Sequence, residues 1–132
     1  ANITYTDASE NSMGPLPSIL PFFGGADLAY ENQGISLRLR MQYNGAKKPK
    51  DYSFGGEDGL EETPILFTDG TAIAYAGSPK WTTFSLFSNY QFINGVGINI
   101  ALENIFDTHY RTFASGISAP GRSLNLGLNV DF

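Results

Sequence analysis

Apolar residues fall on every second position in six stretches of the chain. The most regular is Ser123 to Phe132, where Leu124, Leu126, Leu128, Val130 and Phe132 alternate with Ser123, Asn125, Gly127, Asn129 and Asp131. The stretch Ile35 to Asn44 sets Ile35, Leu37, Leu39, Met41 and Tyr43 against Ser36, Arg38, Arg40, Gln42 and Asn44. Val96 to Glu103 sets valine, isoleucine and leucine against Gly97, Asn99, Ala101 and Glu103. Weaker versions run over Ala1 to Thr6, about Phe22 to Glu31, and about Trp81 to Phe92. Side chains of a strand point to opposite faces with period two. Helical spacing fits none of these segments as well, so the pattern predicts six strands.

The connections carry a second pattern. Asn32-Gln33-Gly34 and Ile93-Asn94-Gly95 read as tight hairpin turns. The other connections are long, at about 7–21, 46–80 and 104–122, and hold most of the proline and acidic residues. Short alternating with long predicts an antiparallel up-and-down meander with every long loop at one end. A soluble domain has little use for such structureless connections. Outer-membrane barrels pair short periplasmic turns with long extracellular loops. Their strands need about 9–11 residues to cross the bilayer, which these segments supply. One face then meets lipid and the other a wet lumen. Tyr43, Trp81 and Phe84 would lie near the extracellular ends, and Tyr30, Tyr90, Phe92 and Phe132 near the periplasmic ends, as belts at headgroup level.

Six strands are too few to close a membrane barrel, whose smallest single-chain forms have about eight. Open edges in hydrocarbon leave backbone groups unpaired at several kcal/mol each. The expectation is therefore a fragment, or one polypeptide of a barrel that another completes. The strand-like start at Ala1 points the same way.

Composition changes this picture little. The chain has 132 residues with Gly 15, Tyr 7, Phe 10, Trp 1 and Cys 0. The lack of cysteine excludes a disulfide framework and a thiolate metal site. A net charge of -5 argues against a nucleic-acid partner. Mean hydropathy is -0.15, and no apolar run nears the ~18 residues of a membrane helix. Barrel strands hide from such averages because only alternate residues face lipid.

The stretch Glu103-Asn104-Ile105-Phe106-Asp107-Thr108-His109-Tyr110-Arg111 resembles the E-N-[IL]-F-D-x-x-Y-R element of TonB-dependent outer-membrane receptors. Ala119-Pro120-Gly121-Arg122 and the final alternating strand ending in Phe132 extend the resemblance. Leu16-Pro17 through Pro21-Phe22 and Tyr43-Asn44-Gly45 agree in order. The resemblance covers the whole chain as the C-terminal segment of the barrel domain. It implies about six strands of a plugged barrel of ~22. The plug, the earlier strands and the segment that meets TonB would belong to sequence outside this chain. The family imports scarce nutrients such as ferric siderophores, haem and cobalamin, with energy passed through TonB and no covalent chemistry. The expected partners are the rest of the barrel and its plug, the TonB complex, outer-membrane lipid and lipopolysaccharide, and a nutrient ligand. No cofactor is expected.

Asn104, Phe106, Asp107, Tyr110, Arg111, Pro120, Gly121, Arg122 and Phe132 are motif positions, expected to form the fold rather than to touch ligand. Asn104 and Asp107 suit backbone hydrogen bonding where the strand leaves the sheet. Pro120-Gly121 signals a turn, after which Arg122 is expected in the lumen-side register. The terminal Phe132 resembles the signal read by the outer-membrane assembly machinery. Arg38, Arg40 and Gln42 are expected to face the lumen and meet plug carboxylates or an anionic ligand. The simpler alternative is pairing of these arginines with Asp27 and Glu31 across the hairpin.

The loop 46–80 opens with Lys47, Lys48 and Lys50, suited to a solvated face or to lipopolysaccharide phosphates. It continues with Glu57, Asp58, Glu61, Glu62 and Asp69. Glu57, Asp58, Glu61, Glu62 and His109 are weak candidates for metal ligands, since their spacing matches no calcium loop. His109 is the one histidine, open to axial haem ligation but more simply an exposed loop residue. With one histidine, no cysteine and no G-x-S-x-G element, catalysis finds no support. The reading is a segment of an energy-coupled nutrient receptor. Its rivals are a passive porin or barrel adhesin, and a soluble β-barrel binding protein.

Overall fold

The computed structural model describes residues 1–4, 9–10, 14–15, 19–20, 22–53, 59–92 and 95–130. Ten strands follow in chain order: β1 Asn2–Thr4, β2 Ser9–Glu10, β3 Gly14–Pro15, β4 Phe23–Asn32, β5 Ile35–Asn44, β6 Ile65–Thr68, β7 Thr71–Tyr75, β8 Trp81–Gln91, β9 Val96–Glu103 and β10 Ser123–Val130. Six of them form one antiparallel sheet in the order β1-β4-β5-β8-β9-β10. These are the six alternating stretches, paired in sequence order. Residues 5–6 and 131–132, which the alternation assigned to the first and last strands, lie outside the described residues, as do Ile93 and Asn94.

The β4–β5 hairpin closes on Gln33 and Gly34, with φ of 42° and 84°. Positive φ at both central residues is what a two-residue type I′ turn requires. Gly34 also lies under β8: an added Cβ would sit 2.7 Å from the Gln91 carbonyl oxygen. The sheet's short turns share one end, and the connections β1 to β4, β5 to β8 and β9 to β10 share the other.

Among the described residues the sheet has no apolar core. Leu28 and Leu126 are each 72% exposed, and Leu128 is 69% exposed. Among the described residues the buried apolar side chain is Tyr52, while Asn44, Lys47, Thr83, Ser85 and Asn104 are buried polar ones. In water each exposed leucine would forfeit about 1.5–3 kcal/mol of burial. Cross-strand pairs such as Leu28–Leu39, Leu39–Leu86 and Ile100–Leu126 put these side chains on one continuous face. The opposite face carries Asp27, Arg40 and Ser85 in one row, and Ala101 with Asn125 in another.

Two expectations need correction. Trp81 pairs with Asn44 and so lies on the polar face, not in a lipid-facing belt. Period two decides this, because Trp81 shares parity with Thr83 and Ser85. The 46–80 connection is not structureless either. It holds two short 3-10 turns, Pro49–Asp51 and Leu60–Glu62, and the β6–β7 hairpin. That hairpin turns on Asp69 and Gly70, both at positive φ. Strand β8 also breaks strict alternation. Phe87 lies on the polar face opposite Arg38, and Ser88 on the apolar face opposite Leu37.

Candidate functional site

Described parts of the long connections meet one another at the end of the sheet they share. There the segment from Asn104 to Arg122 builds a cap from its own backbone. Asn104 is buried, with φ of 49°. Its Nδ2 donates to the Thr108 carbonyl at 3.0 Å and the Pro120 carbonyl at 3.2 Å, and its Oδ1 accepts from the Thr108 amide at 2.9 Å. One side chain thus ties the departing chain to the returning one. Asp107, with φ of 54°, accepts the Arg122 amide at 2.7 Å through Oδ1. Gly121 fits because a Cβ there would lie 2.6 Å from that same oxygen. The Ile105 amide donates to the Phe84 carbonyl, and Phe106 packs edge-on against Phe84 with centroids 5.6 Å apart.

Arg122 departs from its expected place. Strand β10 begins at Ser123, which pairs with Glu103, so Arg122 precedes the ladder and has no lumen-side register. Its backbone amide is held by the Asp107 cap, and its side chain is exposed.

A second cluster joins three connections. Lys47 is 5% exposed, and its Nζ donates to the Ile19 carbonyl at 2.7 Å. The same ammonium lies 4.8 Å from the Tyr52 ring centre and 4.1 Å from that of Phe113. The Tyr52 hydroxyl bonds Ser78 Oγ at 2.8 Å. Lys47 also pairs through its backbone with Ser78. The expectation that Lys47 joins Lys48 and Lys50 on a wet face is therefore wrong for this residue. A buried ammonium between aromatic faces is held by their quadrupoles and its hydrogen bond. Nothing in the lysine run itself signals this, since Tyr52 and Phe113 reach it only through the fold.

Two connections enclose a cleft of about 340 Å³. One wall comes from Gly59 to Pro64 and Ser78-Pro79, the other from His109 to Ser115. Tyr110 stacks on Trp81 with centroids 4.3 Å apart, and Trp81 Nε1 donates to the Arg111 carbonyl at 3.1 Å. The Tyr110 carbonyl accepts the Ala119 amide at 2.9 Å. The base of Arg111 is fixed on both sides. Its guanidinium donates through Nη1 to the Glu62 carbonyl, and the Glu62 carboxylate stands off at 3.8 Å. His109 Nε2 bonds Ser118 Oγ at 3.0 Å. Glu61 is exposed on the 3-10 turn, and Glu57 and Asp58 lie outside the described residues. Among the described residues, no three of His, Asp and Glu converge to hold a metal ion.

On the polar face of the sheet, Arg40 Nε donates to Asp27 Oδ1 at 2.9 Å, and its guanidinium carbon lies 5.4 Å from the Phe87 ring centre. The cross-hairpin alternative thus describes Arg40. Arg38 sits between Ala29 and Phe87 in register, and Gln42 between Gly25 and Thr83. A groove of about 440 Å³ runs from Ser36 and Arg38 past Phe87, Asn89 and Asn99 to Asn125. Asn89 Nδ2 donates to Asn99 Oδ1 and Asn99 Nδ2 to Asn129 Oδ1, while Asn125 Nδ2 donates to Glu103 Oε2. Phe132 lies outside the described residues.

No protein-family model and no curated protein sequence matches the chain. Among solved structures, the copper transporter OprC is similar with a TM-score of 0.70 at 18% sequence identity, covering 98% of this chain. The fold, an antiparallel sheet of six strands, is that of a β-barrel segment. The chain spans 19% of that transporter's length. At this identity the likeness is one of fold, and it agrees with a sheet whose apolar face is its exposed one.

Proposed function

We propose that this chain is the C-terminal part of the barrel of a TonB-dependent receptor in the bacterial outer membrane. The protein would take up a scarce nutrient at the expense of energy delivered through TonB. The carrying observation is the pair of opposed faces: an exposed sheet of Leu, Ile and Tyr on one side, an amide-lined groove with Arg38 on the other. Lipid suits the first and a wet lumen the second. The long connections clustered at one end suit an extracellular ligand platform, and the E-N-I-F-D-x-x-Y-R element supports the receptor class.

The cargo we favour is a metal chelate such as a ferric siderophore or haem. The similar fold belongs to a protein named as a copper transporter, which supports a metal-bearing cargo. Arg38 and Gln42 are assigned to contact with a plug domain or passing ligand, and Asn104, Asp107, Pro120 and Gly121 to the cap that returns the chain to its last strand. Further strands of the barrel would pair with β1 and β10, and lipopolysaccharide and lipid would cover the apolar face.

The test is uptake by cells making the full-length protein, with and without TonB and with the proton gradient collapsed. Uptake of labelled chelate should require both. Uptake that persists without them returns the protein to the rival reading, a passive porin or adhesin.

A further inference from the structure

The cleft between the two loops contains a guanidinium whose hydrogen-bonding capacity is largely unspent among the described residues. A guanidinium carries five N–H donors in a planar fork. Arg111 gives one of them to the Glu62 carbonyl, and its ion pair with the Glu62 carboxylate is long at 3.8 Å. The neighbours are already committed: Thr63 Oγ1 donates to the Leu60 carbonyl, Ser115 Oγ to the Ile117 carbonyl, and His109 Nε2 bonds Ser118. Both walls are preformed. Arg111 is held at its backbone by Trp81, and Glu62 by the turn from Gly59, whose carbonyl accepts the Glu62 amide at 3.1 Å. A carboxylate matches the guanidinium fork with two parallel hydrogen bonds. A cleft of about 340 Å³ is within the range of small-molecule sites.

We propose that this cleft is a carboxylate-binding subsite, with Arg111 as its anchor and the Glu62 side chain as an internal occupant that a ligand carboxylate displaces. The inference rests on the receptor reading and deepens it: the ligand is an acid-bearing molecule or chelate rather than a neutral one. Displacing the Glu62 carboxylate removes one ionic contact between the 59–80 and 104–122 connections and leaves the bond from Arg111 to the Glu62 carbonyl in place.

The two partners of the pair should respond with opposite sign. Citrate and ferric citrate are titrated calorimetrically into the full-length protein, alongside a neutral ferric trihydroxamate. Arg111→Met should weaken binding of the carboxylate probes about tenfold or more, through the loss of a charge-assisted contact. Glu62→Gln should tighten it, because the internal competitor loses its charge, while the neutral trihydroxamate is unaffected by either change. Equal weakening by both variants would mean that the pair only holds the loops together, and would overturn the proposal. So would a wild-type protein that binds no carboxylate probe. Both outcomes are separate from the receptor reading, which stands or falls on TonB-dependent uptake.

Discussion

Lys47 and Phe113 come from different connections, yet the ammonium of one lies 4.1 Å from the ring centre of the other. The same ammonium reaches the Ile19 carbonyl in a third. Replacing Lys47 by Met keeps much of the stem and removes the charge. The cation–π contacts and hydrogen bond together should be worth about 2 kcal/mol or more in this desolvated place. Lys47→Met should make the 46–53 and 104–122 segments exchange amide hydrogens faster in the full-length protein, with the strands unchanged. Unchanged exchange in these loops would mean the cluster does not pin them.

The Asn104–Asp107 cap gives a coupled prediction. Gly121→Ala puts a methyl 2.6 Å from Asp107 Oδ1 and should destabilise the barrel end. Asp107→Ala alone removes the acceptor of the Arg122 amide. The double variant should cost clearly less than the sum, by about 0.5 kcal/mol or more, because the two residues touch. Thermal unfolding followed by gel mobility of the heat-modifiable barrel measures this, and additive losses would contradict the described contact.

The two faces of β10 should tolerate charge unequally. Leu126→Arg places a guanidinium on the apolar face, where the cost near a bilayer midplane is about 2–4 kcal/mol. Asn125→Arg, one residue earlier on the polar face, should cost little. Folding yield into lipid vesicles compares them directly. Equal penalties would remove the assignment of the Leu face to hydrocarbon.

The Arg40–Asp27 pair is half exposed, with side chains 39% and 49% accessible. Such pairs contribute about 0–1 kcal/mol. Asp27→Asn should therefore change the unfolding midpoint only slightly. A large loss would imply that the pair is desolvated in the complete barrel.

Strand positions were legible because period two is a local property: β5 and β9 begin and end where Ile35–Asn44 and Val96–Glu103 alternate. The Asp69-Gly70 hairpin was legible in principle, since that dipeptide sits between Ile65–Thr68 and Thr71–Tyr75. Its two strands are short, four and five residues, so little alternation marks them. At Trp81 parity, not aromatic identity, decides the face. The cluster around Lys47 and the Arg111–Glu62 cleft were out of reach. They depend on which loops meet over the sheet, and no spacing along the chain encodes that meeting.

Trp81 is the chain's single tryptophan, and it touches Tyr110 and the Arg111 carbonyl at the foot of the cleft. Its indole is a built-in optical probe of that corner. A shift of Arg111 or Tyr110 alters the polarity and quenching around the ring. The difference in emission between the full-length protein and its Trp81→Phe variant isolates that corner from any tryptophan elsewhere in the barrel.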